Sequence, residues 1–146
     1  MAFLVSRRVR HGRRLPLLVG LMLASSLSGE VPLDVGQTAT IRSSPQRELV
    51  YPVAPPLTQA PANRGALLAV DIDEPGRYRL SLDADAWIDV LLDGRALPVA
   101  AHDAPRAGSN ERKALLFDLA PGPHGIALSG LSVPAVDVRI ERVTTP

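Results

Sequence analysis

The 146 residues contain no cysteine, so no disulfide can staple this fold and packing must hold it together. Lysine is nearly missing as well: of 16 basic side chains only Lys113 is not an arginine, which we attribute to genomic base bias rather than to a binding signature. Aromatic residues make up 3% of the chain, and beyond the N-terminal region only Tyr51, Tyr78, Trp87 and Phe117 remain. That is sparse for a carbohydrate-stacking platform. The longest apolar run, residues 15–27, is 13 residues long and carries Pro16, whereas a helix crossing a bilayer needs about 20. Helical periodicity and internal repeats are missing from the chain after that run. So are a nucleophile elbow, a phosphate loop and any Ser-His-Asp spacing, which leaves hydrolase activity unsupported.

What is present begins with a leader. Arg7, Arg8, Arg10, Arg13 and Arg14 precede the apolar run, and the small residues Ser26, Ser28 and Gly29 follow it. This three-part layout is that of a secretory signal peptide, with cleavage expected after Ser28. It predicts a periplasmic or secreted protein that meets the membrane only through its leader during export. The formal charge of +1 also belongs to the leader: residues 1–28 hold five arginines and no acid, leaving 11 basic against 15 acidic side chains, a formal −4. A mildly acidic mature chain does not offer the clustered cationic face that nucleic acid requires.

Residues 29–64 are rich in proline, with Pro45, Pro52, Pro55, Pro56 and Pro61 interrupting any long element. They read as an N-terminal arm with possible edge strands at residues 38–42 and 48–53. Residues 65–146 read as a β-sandwich core. Leu68, Val70 and Ile72 alternate with polar or small residues, as do Tyr78, Leu80 and Leu82, while Ile88, Val90 and Leu92 stand opposite a mixed face of Trp87, Asp89, Leu91 and Asp93. The sequence predicts residues 76–94 as the central hairpin, two antiparallel strands turning at Asp83-Ala84-Asp85, with a third strand added after the Asp93-Gly94 turn. In the first of these strands Arg77, Arg79 and Ser81 are expected to face water. Strands at 113–119, 124–130 and 134–143 complete about eight or nine short strands, an all-β antiparallel sandwich of jelly-roll type.

The succession Pro75-Gly76-Arg77-Tyr78, Asp93-Gly94 and Leu119-Ala120-Pro121-Gly122, closed by the strand around Val136 to Ile140, resembles bacterial pre-peptidase C-terminal and galactose-binding-like β-sandwich domains. That resemblance covers about residues 65–143 and implies the same fold. Ala86-Trp87-Ile88-Asp89-Val90, a following Asp93-Gly94, His102, the Arg112-Lys113 pair and Phe117 to Gly122 resemble short exported bacterial proteins. That group is uncharacterised, and some of its members are named homogentisate 1,2-dioxygenase-like. Many of them carry a loop cysteine that this chain lacks, so its role does not carry over.

The candidate ligand-binding residues are Trp87, Asp89, His102, Arg112 and Lys113. Trp87 either stacks on a ligand or packs beneath the proline-rich arm, the latter in keeping with the usual burial of tryptophan. Arg112 and Lys113, beside the polar loop at residues 102–112, either bind an anion or simply keep the loop soluble. His102 and His124 are the only histidines past the leader and, with a carboxylate, would be the minimum for a non-haem iron triad. No H-x-H or H-x-D/E spacing supports one. Asp71, Asp73, Glu74, Asp83, Asp85 and Asp89 either hold a structural Ca²⁺ or form a solvated acidic rim.

No cofactor is therefore expected, a structural Ca²⁺ or a transition metal being the alternatives. The reading is an exported, non-enzymatic binding or envelope-associated module for an envelope polymer, a small ligand or a protein. The alternatives are a small metal-dependent, dioxygenase-like enzyme using His102 and His124, and a structural protein-interaction domain.

Overall fold

The structure, a computed structural model, describes residues 30–56 and 63–144. The leader therefore lies outside the described residues, as does part of the proline-rich arm. Among the described residues eleven strands, not eight or nine, build two sheets around one core. The strands not expected are two or three residues long and too brief to show as periodicity: β1 (Val31–Leu33), β3 (Ser44–Pro45) and β8 (Ala101–Asp103); β7 (Arg95–Ala96) is the strand expected after the Asp93-Gly94 turn, cut to two residues. The longer ones are β2 (Thr38–Arg42), β4 (Arg64–Ile72), β5 (Gly76–Leu82), β6 (Trp87–Leu92), β9 (Lys113–Leu119), β10 (Gly122–Leu131) and β11 (Ala135–Arg142). Among the described residues no helix is long and apolar enough to cross a membrane.

The first sheet has the order β1-β4-β10-β6-β7, with β3 also on β4, and the second β2-β11-β5-β9-β8. All pairs are antiparallel except β1 with β4. Alternation assigns the faces as expected: Leu68, Val70 and Ile72 of the first sheet and Leu80, Phe117, Val138 and Ile140 of the second are all buried in one cluster. Residues 48–53 form no strand. A single 3-10 turn at Gln46–Glu48 precedes them, and Gln46 is held by the bond from the Gly130 N–H to its Oε1, 2.9 Å.

The expected central hairpin does not form. β5 pairs with β11 and β9 in the second sheet, while β6 pairs with β10 and β7 in the first. Residues 83–86 are thus a bridge from one sheet to the other, and Ala84 and Ala86 are buried within it. The physical reason is that each strand has one apolar face and both faces must enter the same core from opposite sides. The Asp93-Gly94 turn closes a tight hairpin, β6 to β7, and both residues have the positive φ, 51° and 76°, that such a turn requires, while the longer loop at residues 104–112 joins β8 to β9 as a second antiparallel pair.

The arm is anchored at a β-bulge. Register shifts between Leu128 and Leu131 where β10 meets β4, and there the Tyr51 hydroxyl donates to the Leu128 carbonyl at 2.7 Å. Burial pushes the Tyr51 phenol up to about 12. Gly65 makes room for this contact, because a Cβ there would collide with the Tyr51 hydroxyl and lie 2.5 Å from the Leu128 oxygen. Gly65→Ala should therefore cost about 2 kcal/mol in a denaturant melt, as overpacking does. Tyr51→Phe, which loses only the hydrogen bond, should cost about 1 kcal/mol.

Candidate functional site

Trp87 opens β6 on the face opposite Ile88 and Val90, so it points away from the core on the outer face of the first sheet. It is 44% exposed, which sets aside full packing beneath the arm. Asp89 shares that face, and the β10 residues across from the two are Ser129 and Ala127. Farther along, Leu91 is buried by lying over Gly125, where a Cβ would be 3.5 Å from the Leu91 Cβ. The outer face is therefore partly apolar, with Trp87 at its open end.

Lys113 is tied into this end of the molecule. Its Nζ donates to the Ala86 carbonyl at 2.6 Å, joining the start of β9 in the second sheet to the residue before Trp87. Its ammonium thus has a structural partner. Arg112 is exposed and its backbone N–H donates to the Leu82 carbonyl at 2.8 Å. His102 is exposed on the edge strand β8, paired with Leu115, two residues along β9 from Lys113.

The two histidines lie on different sheets. His124 faces the core from β10 opposite Val70, with Nδ1 2.9 Å from the Gly122 carbonyl and no partner for Nε2. Among the described residues no three His, Cys, Asp or Glu side chains gather to hold a metal. Of the acidic residues considered for Ca²⁺, Glu74 pairs with Arg142, and Asp83 lies on the second sheet's side of the bridge while Asp71 and Asp89 sit on strands of the first.

The most tightly organised polar group was not legible as such. Arg79, expected to face water, is only 4% exposed. Its Nε donates to Asp103 Oδ2 at 2.7 Å, and Nη1 and Nη2 grip both oxygens of Glu111 at 2.9 and 2.7 Å. Nη2 also reaches the Ala104 carbonyl at 3.0 Å. The fork geometry of guanidinium allows this bidentate hold, which an ammonium would not reproduce. Glu141, directly across from Arg79 on β11, is shared with Arg106 and Arg139. One buried arginine thus fastens both ends of the loop at residues 104–112. Inside it, the Arg106 N–H donates to Glu111 Oε2 at 3.0 Å and the Ser109 hydroxyl to the Arg106 carbonyl at 2.6 Å. A signal for this does exist in the sequence: Asp103 and Glu111 bracket a Pro-Gly loop, and two acids at the feet of one loop call for a cation between them.

Beside the loop a cleft of about 180 Å³ opens on the outer face of the second sheet. It is lined by Ser81 and Asp83 from the β5 side, Asp137 and Arg139 from β11, and Ser109 to Glu111 from the loop. Comparison with family models, with curated proteins and with solved structures finds no match for this chain.

The Arg79 pairing holds the Glu111 carboxyl down at about 2 from its ordinary 4.5. A depressed carboxylate contributes stability that is present above its unfolded value and lost as pH falls toward the folded one. Stability should therefore drop between about pH 4.5 and pH 2, and Glu111→Gln should flatten that slope in acid melts. Arg79→Met, which leaves the carboxylates without their cation, should cost about 3 kcal/mol at neutral pH.

Proposed function

We propose that this chain is an exported, non-enzymatic binding module of the cell envelope, a jelly-roll-like sandwich that presents Trp87 to its ligand. The half-exposure of Trp87 carries this reading. An amphipathic ring left open beside the half-buried Asp89, over buried Ala127 and Ser129, is the kind of anchor that recognition surfaces use. The tether from Lys113 to Ala86 supports it by fixing the backbone beside the ring. A rigid scaffold limits the ordering cost of binding. The basic leader and its apolar run support export, and the mildly acidic remainder suits an envelope polymer or protein partner better than nucleic acid.

Trp87 is the only tryptophan of the chain, so its fluorescence reports on the site directly. Acrylamide should quench it readily in the purified protein. Titration with solubilised peptidoglycan fragments, envelope polysaccharide and envelope protein fractions should protect it saturably for one of them, and in co-sedimentation with that component, which needs no fluorophore, Trp87→Ala should lower retention about ten-fold. Quenching that no envelope component changes would overturn the reading.

A further inference from the structure

Of the strands that end the two sheets, β2 alone is left without a blunting device. β1 carries Pro32, which has no N–H to offer, and β7 and β8 are two and three residues long. β2 has five residues, no proline and no lysine, and among the described residues it pairs only with β11. The Ser43 N–H donates to the Pro134 carbonyl at 2.9 Å and continues the ladder between β2 and β11. Backbone groups alternate sides along an antiparallel strand. Ala39 and Ile41 therefore turn theirs to β11, while Thr38, Thr40 and Arg42, all exposed, turn theirs outward. Such a row of open N–H and C=O groups is a template for another strand.

Two further observations say which strand fits. Val31 and Val35 are 39% and 38% exposed, and both lie in the segment that leads from the edge of the first sheet into β2, so apolar surface accompanies the open backbone. The charges are also complementary end to end. Arg42 closes β2 and Asp34 stands in the turn before it; both are exposed, and neither forms an ion pair among the described residues. Antiparallel pairing of β2 with itself about Thr40 sets Thr40 against Thr40 and Thr38 against Arg42, with no like charges opposed. It also brings each Arg42 toward the Asp34 turn of the other copy. An in-register parallel pair sets the two Arg42 side chains together and is repelled.

We propose that β2 is a dimerisation edge, on which a second copy of this chain pairs antiparallel about Thr40 and continues the second sheet. The contact is isologous, the same edge serving both copies, and so closes at two. Its two-fold axis stands perpendicular to the paired sheets, which leaves both first sheets on one side and turns both Trp87 rings the same way. A polymer with repeated sites would then be held at two points at once. That consequence rests on the binding role of Trp87; the dimer itself does not.

The test is analytical ultracentrifugation of the purified protein, with amide hydrogen exchange read by NMR at low and high concentration. Short edges bury less than the about 1,600 Å² of a standard interface, so the dimer is expected to be weak, with a Kd below about 1 mM. In the dimer the amides of Thr38, Thr40 and Arg42 should exchange more slowly, while those of Ala39 and Ile41, already bonded to β11, should not change. Arg42→Asp and Asp34→Arg should each raise the Kd at least about ten-fold, and the double variant should restore it. Thr40→Lys puts two ammonium groups at the two-fold axis and should leave a monomer, yet with Asp137 opposite it on β11 it should keep its Tm. Trp87→Ala should associate as the parent does. A protein that stays monomeric at about 1 mM overturns the proposal. So does a dimer in which the outward amides of β2 exchange unchanged, a monomer in which they are already protected by the chain itself, or a double variant no tighter than the single ones. None of these outcomes bears on the quenching of Trp87 by envelope components.

Discussion

The guanidinium of Arg79 stands where the sheet face and the long loop meet, and both depend on it. Buried on the outer face of β5, it satisfies Asp103, Glu111 and the Ala104 carbonyl at once. Without it the half-exposed Asp103 and the more shielded Glu111 and Glu141 would lose the cation they converge on. With it, a segment containing Pro105 and Gly108 becomes a fixed wall rather than a swinging loop, and the neighbouring cleft takes its shape from that wall. The exposed Arg77–Asp118 pair has comparable geometry, with bonds of 2.9 and 3.1 Å, and contributes little, because both partners stay in water.

A second constraint comes from the turns. β4 to β5, β5 to β6, β9 to β10 and β10 to β11 each carry the chain from one sheet to the other, so nearly every strand pairs with a partner distant in sequence. β1 and β2, from the segment read as an arm, join opposite sheets, and Leu33 and Ile41 enter the common core. The proline-rich stretch after them touches the sandwich through Tyr51 at the β10 bulge, where Gly65 leaves space for a hydroxyl instead of a side chain.

Much of this was legible. Strand identity and facing could be read for β4, β9 and β11, because period-2 alternation is a local property of the chain, and β2 could be read as a possible edge strand. Pairing could not, since the same alternation in β5 and β6 suits a hairpin and a sheet-to-sheet bridge equally. The burial of Ala84 and Ala86 decides between them, and an alanine in a turn announces nothing. For the candidate site, Trp87 and Asp89 share one face of β6 and Lys113 reaches the start of that strand, but Lys113 is committed to the Ala86 carbonyl. Arg79 and Ser81 stayed hidden because alternation marks them as solvent-facing, and only the loop folding back over that face buries them. A covering loop has no periodicity to betray it.

The position of β11 has a consequence for how the protein is made. This last described strand lies inside the second sheet, between β2 and β5, and pairs Val136 with Ile41 and Val138 with Ala39 and Leu82. Until it emerges, β2 has no partner and β5 lacks one side. Contacts spanning about a hundred residues form slowly, because the chain must close a long loop before any of them is rewarded. A nascent chain of this topology stays open through most of its synthesis, with the apolar faces of β2 and β5 uncovered until the last strand closes over them.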